Sequence, residues 1–202
     1  MDTEQRGPFL FVGNQLALDF LNTRPVLAGE QTELLGDGQA LLSWFVAAGL
    51  LAGRDERALQ HAWGEASVRR ELEQVRAFRE RLRQEVIAWE EGKAVGKAML
   101  VKLNELMAAY PMRTQIEARD GALETRMIFA PQEPGELLAP IAHAAAMLFT
   151  NVARSRVRQC DGCVLHFYDN SKKGNRRWCS MKFCGNRVKV AAYALRNRAS
   201  AE

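Results

Sequence analysis

All four cysteines of this chain, Cys160, Cys163, Cys179 and Cys184, fall inside 25 consecutive residues. Their order is C-x2-C, then fifteen residues, then C-x4-C. Each short pair makes a knuckle that aims two sulfurs at one metal, and the intervening ribbon is long enough to bring the knuckles together. The competing arrangements are two disulfides or four separate core thiols. Nothing else in the sequence looks secreted, and thiols reserved for one site fit a reducing cytoplasm. The spacing therefore predicts one structural Zn2+ per chain. Four thiolates close the coordination shell, whereas a catalytic zinc keeps an open position.

The charge sits where the cysteines sit. From residue 151 to the last there are twelve Lys or Arg against three acids, a balance of +9, while the first 150 residues carry −5 of the net +4. A basic module of this kind predicts a polyanionic partner, because each neutralised phosphate releases counterions. A solvated tail is the bland alternative, but a tail does not need Phe167, Tyr168, Trp178, Met181 and Phe183 between its charges. At 202 residues and 48% hydrophobic, the chain can bury one good core plus a small satellite. A metal is what such a satellite needs in order to fold. The N-terminal MDTEQRGPFLFVG lacks the pattern of a signal peptide, and no apolar run approaches the roughly 20 residues of a membrane span. A cytoplasmic protein without a membrane partner is expected.

The periodicity is mainly α. Helices are predicted over Gln15–Asn22, from an Asp37 N-cap through Leu41, Leu42, Phe45 and Val46 to Gly49, and from an Asp55 cap to Trp63. The longest runs from about Val68 to Glu91, with Val68, Leu72, Val75, Phe78, Leu82, Val86 and Trp89 stepping by three or four. Another covers Ala94–Ala109, closed by Pro111. Thr114–Phe129, with Asp120-Gly121 as its turn, reads as the one β-hairpin of the N-terminal domain. A final helix, Glu136–Arg156, is apolar nearly all round in its middle and runs almost without linker into Cys160. The expected division is an α-rich domain over 1–156 and a small four-cysteine finger over 157–202, built as knuckle, β-hairpin and helix.

Within the finger, Lys172, Lys173, Arg176 and Arg177 surround Gly174-Asn175, a natural turn tip that could straddle a phosphate backbone. Past Cys184, Val188, Ala192, Leu195 and Ala199 make an apolar stripe, and Lys189, Tyr193 and Arg196 make a second one beside it. A helix docked by one face and offering Lys and Arg on the other suits a nucleic-acid groove.

The run RRWCSMKFCGNRVK resembles the CGNR zinc finger, a module named for the tetrapeptide that stands here as Cys184-Gly185-Asn186-Arg187. GNQLALDFLNT (Gly13–Thr23) and LLSWFVAAGLL (Leu41–Leu51) resemble that finger's usual companion, the ABATE domain. The resemblance implies a bacterial transcription regulator, with the four cysteines as zinc ligands and the finger on DNA. Trp178, Asn186, Arg187 and Lys189 stand at the family's motif positions. The C-x2-C spacer is shorter than the family's, which leaves the ligands unchanged and bears on the loop around Asp161-Gly162. Gly185 could turn the backbone under the metal. Asn186 could cap the next helix or contact a base. Arg187 could reach a phosphate or a guanine edge, and Trp178 could form the finger's small core or stack on a base.

The histidines His61, His143 and His166 are scattered and do not assemble a catalytic site, so no enzyme is expected. Asp19, Asn22, Thr23 and Arg24 are the one dense polar set of the N-terminal domain. Asp19, Asn22 and Arg24 could line a small-effector pocket, or the set could satisfy the helix end and the loop after it. Two functions remain open. One is a regulator that contacts double-stranded DNA, with an N-terminal domain that senses an effector or forms a homodimer. The other is an RNA- or protein-binding zinc module on a helical scaffold.

Overall fold

The structure, a computed structural model, describes residues 4–27, 30–51, 56–119 and 121–186. A short helix, α1 (Leu16–Leu21), lies at the centre, with Ala17, Leu18, Phe20 and Leu21 fully buried. Around it pack α2 (Gly38–Ala47), α4 (Glu65–Glu90) and α6 (Leu138–Asn151), while α3 (Glu56–Trp63) lies on α2 and α4, and α5 (Lys97–Ala109) on α6. Phe20 touches both Trp44 and Phe78, and Trp44 meets Phe45 edge-on at 5.1 Å, so one aromatic cluster joins three helices.

The helical periods translate directly into packing. All seven apolar positions expected on the long helix are buried in α4, each contributing roughly 1.5–3 kcal/mol before chain entropy is counted. Gly92 ends that helix at φ 98°, a conformation that costs glycine little. The Asp37 carboxylate accepts from the Ala40 N–H at 2.8 Å and caps α2 as expected. Asp55 lies outside the described residues.

Strands differ more from expectation. The hairpin is there, as β5 (Arg113–Arg119) and β6 (Ala122–Ile128). Two further ribbons, β1 (Gln5–Arg6) with β2 (Phe9–Leu10) and β3 (Val26–Leu27) with β4 (Glu30–Gln31), are two residues per strand and too short to leave a period in the sequence.

The last helix is also shorter than expected. Pro134–Leu137 is a 3-10 turn, α6 ends at Asn151, and Val152 is extended at φ −106°, ψ 136°. The peptide groups beyond it have partners in the finger. Asp169 donates its N–H to the Arg156 carbonyl at 2.7 Å, and β7 (Val157–Gln159) pairs antiparallel with β8 (His166–Tyr168). Strand pairing takes the groups that a longer helix would have used. No helix among the described residues is long and apolar enough to cross a membrane.

Candidate metal centre and its seat

β7 and β8 place the first cysteine pair. The expected order was knuckle and then hairpin, but the knuckle is the hairpin's tip: Cys160 donates its N–H to the Leu165 carbonyl at 2.9 Å, across the turn that holds Cys163. Of the second pair, Cys184 stands on a helical turn, Met181–Gly185, which Ser180 caps by accepting from the Lys182 N–H, and Cys179 immediately precedes that cap. Gly185 is favoured here by the close approach of Met181 and not by a left-handed φ, since a larger residue would have to push that exposed thioether aside. A Cβ on it would lie 2.6 Å from the Met181 sulfur, while its φ is not among the positive ones. Asn186 is itself helical (φ −68°, ψ −41°) and exposed, so the cap role belongs to Ser180.

The four sulfurs lie within 4.8 Å of one another. Cys163 to Cys179 and Cys179 to Cys184 are each 3.8 Å, far beyond a disulfide bond. A tetrahedron with Zn–S bonds of about 2.3 Å has edges of about 3.8 Å. Backbone N–H groups of Gly162 and Cys179 point at the Cys160 sulfur at 3.4 and 3.3 Å, the donors a metal-bound thiolate uses. The cluster cannot ionise fully by itself. The neighbouring thiols of Cys163 and Cys179 hold Cys160 well below the usual thiol range, and Cys160 in turn pushes Cys163 up to about 12. A divalent cation resolves that conflict, and the cofactor of this site is one structural zinc held by Cys160, Cys163, Cys179 and Cys184. His166 stays outside the ligand set, because the four sulfurs group without it; its Nδ1 lies 2.9 Å from the Glu90 carboxylate.

The basic loop between the pairs is pinned from within. Asp169 is fully buried and accepts from the N–H groups of Ser171 and Arg176, bonds that outweigh the upward push of burial and hold its carboxyl below the usual range. Arg156 donates to the Asp169 and Ser171 carbonyls, and Arg158 to that of Gly174. Arg176 donates to the Cys179 carbonyl at 2.6 Å and stacks over Phe167. Arg177 pairs with Asp161 at 2.7 Å on the surface and lies over the half-buried Trp178. Lys172, Lys173 and Arg177 are exposed, and Arg176 is half-buried. Arg187, Lys189 and Arg196, with the rest of the expected last helix, lie outside the described residues.

The finger is seated on the Gly13–Arg24 segment. Asn22, 1% exposed, donates to the His166 carbonyl and accepts from the His166 N–H, both at 2.9 Å. Gly13 accepts from the Tyr168 N–H at 2.8 Å, and Asn14, in the left-handed region at φ 57°, donates to the Tyr168 carbonyl. Thus β8 pairs with β7 on one edge and with the N-terminal domain on the other. Leu10 and Val12 pack into the same small cluster as Cys160, Leu165, Phe167, Cys179 and Cys184.

The rest of that segment meets the arginines and the acid of α4, with Thr23 buried and Arg24 over a third exposed. Leu21 accepts from Arg83, Thr23 accepts from Arg79 at 2.8 Å, and Arg24 lies 3.6 Å from Glu80. Of the three residues expected to meet an effector, Asp19 lines a shallow cavity of about 370 Å³ with Arg6, Phe11, Asn14, Gln15, Leu16 and Ala48.

Asp19 accepts from the Gly13 N–H at 2.7 Å, and burial raises its carboxyl to about 7. A raised folded value means stability that is fully present below the unfolded pKa of 3.8 and is lost as pH rises through 7. Asp19→Asn keeps the acceptor and removes the titration. Relative to the parent, this variant is expected to gain on the order of 3–4 kcal/mol between pH 4 and 8, read by denaturant unfolding. A flat difference across that range would show that Asp19 stays ionised.

Residues 14–152 match the family ABATE, described as "Putative stress-induced transcription regulator", and residues 156–197 match the CGNR zinc finger. No curated protein matches the chain.

Proposed function

The chain belongs to the ABATE family and carries a CGNR zinc finger, and from that premise we propose that it is a non-enzymatic transcription regulator whose finger contacts double-stranded DNA. The observation that carries this reading is the basic loop, which presents Lys172, Lys173 and Arg177 on a backbone already held by Asp169, Arg156 and Arg158. A rigid loop loses little entropy on meeting phosphate, so its cations position the finger without reading sequence. Sequence reading falls to Asn186, Arg187, Lys189 and Arg196, which follow the last zinc ligand in the sequence. Arg176 has a different job from its neighbours, because it supports the Cys179 carbonyl.

The N-terminal domain holds the finger through Asn22, Gly13 and Asn14, and we assign regulation to that seat. An effector in the cavity beside Asp19 would act on the same segment that grips β8. A cytoplasmic location fits a regulator with a thiolate zinc site.

The test is binding to duplex DNA at several salt concentrations. Replacing Lys172 or Lys173 by alanine is expected to weaken all sequences alike and to shrink the salt slope by about one unit for each phosphate no longer neutralised. Arg187→Ala or Lys189→Ala is expected to cost roughly 1–3 kcal/mol and to flatten discrimination between sites. Preference for single-stranded RNA over duplex DNA at physiological salt would favour the RNA-binding alternative, and salt slopes indifferent to Lys172 and Lys173 would remove the loop from the interface.

A further inference from the structure

The β5–β6 hairpin stands off the core. Every described side chain from Arg113 to Thr125 is exposed except the half-buried Glu117. Ile116 is 69% and Leu123 79% exposed. Residues directly opposite one another share a face, so Thr114, Ile116, Ala118, Leu123 and Thr125 form an apolar or small side, and Arg113, Gln115, Glu117 and Glu124 form a charged one. That alternation belongs to a strand that buries one face. A two-stranded hairpin is marginal without a third strand or a covering element, and an open edge is a template for another strand.

The edge of β5 is self-complementary, and the register with the longest charge-matched overlap is centred on Gln115. Arg119 pairs with Ala122 across a two-residue connection, which makes that pair a hydrogen-bonded one. Bonding alternates along an antiparallel strand, so Arg113, Gln115 and Glu117 turn their peptide groups toward β6, and Thr114, Ile116 and Ala118 turn theirs outward. A second β5 must meet outward groups with outward groups. With Gln115 opposite Gln115 of the second copy, Thr114 meets Ile116 twice and Arg113 meets Glu117 twice. The two Ile116 side chains become diagonal neighbours, within reach of each other. Centring the pair on Ile116 would oppose Arg113 to Arg119, and centring it on Glu117 would oppose that carboxylate to its own copy. Like charges directly opposite are unfavourable.

We propose that β5 pairs antiparallel with β5 of a second copy of this chain about Gln115, joining two hairpins into one four-stranded sheet. The contact is a strand edge and is smaller than the roughly 1,200 Å² of a stable interface, so association depends on concentration. It deepens the regulatory reading above, because a two-fold pair carries two fingers to two half-sites.

Sedimentation of the full-length zinc-loaded protein tests the pairing without DNA, so this inference and the DNA reading can fail separately. The parent is expected to show a monomer–dimer equilibrium. Arg113→Glu and Glu117→Arg should each weaken it about tenfold or more, and the double variant should regain the parent's affinity. Gln115→Cys, at a non-bonded pair on the axis, should form a disulfide-linked dimer under mild oxidation, whereas Glu124→Cys on the other strand should not. A parent that stays monomeric at its highest soluble concentration, or a double variant as weak as the single ones, overturns the proposal.

Discussion

Cys179→Ser is expected to abolish stoichiometric zinc and to unfold the finger. Structural zinc contributes about 10–16 kcal/mol in finger-sized modules, more than the small cluster around Phe167 can replace. Loss of the finger should also be felt across the seat. Asn22 would lose both bonds to His166, and Glu90 would lose its partner, so the helical domain should survive with a lowered melting temperature. Metal analysis with thermal unfolding checks both parts. Full zinc occupancy in this variant would remove Cys179 from the ligand set, and an unchanged melting temperature of the helical domain would remove the seat. Zinc affinity should rise with pH, because loading the site releases thiol protons.

The second large effect is expected at Arg79, whose side chain is 1% exposed. It pairs with both oxygens of Glu33, donates to Thr23 at 2.8 Å and meets Glu80 at 3.0 Å. Arg79→Leu leaves Glu33 with only the Leu35 N–H and the more distant Arg76, and takes the donor from the buried Thr23 hydroxyl, so about 3 kcal/mol of stability should be lost at neutral pH. Burial by itself would raise Glu33, but the Arg79 bonds and charge outweigh it and hold that carboxyl below its ordinary value. A depressed value contributes stability above the unfolded pKa, which is lost as pH falls through the folded one. The gap between parent and variant should therefore narrow in acid. Adding Glu33→Leu should recover part of the loss, since removing both charges avoids the stranded one. A neutral-pH cost below about 1 kcal/mol would place the network on the solvated side of the balance.

Much of the architecture was legible because it is local. The period of three and four that buries Val68 through Trp89 is carried by neighbouring residues, as are the Asp37 cap, the turn between β5 and β6, and the pairing of cysteines into knuckles. Arg79 was not legible: it follows Phe78 at a step that marks either the core or its edge, and its partners lie 46 and 56 residues away. Trp44 beside Phe45 was missed for a similar reason, since α2 buries a wider face than a narrow stripe.

The chain by itself determined the metal, because four thiolates at that spacing have one good tetrahedral use, and it determined the helical class, because periodicity is written residue by residue. Tertiary structure decided how the two parts are joined. Asp19, Asn22, Thr23 and Arg24 read as one polar set, yet they divide between a carboxylate-to-backbone bond, a finger strand, a buried arginine and an ion pair with α4. Arg176 and Lys173 read as equivalent cations, yet one supports a ligand's carbonyl while the other remains in solvent. A hydrogen bond depends on which distant backbone group arrives within about 3 Å, and that is a property of the folded chain.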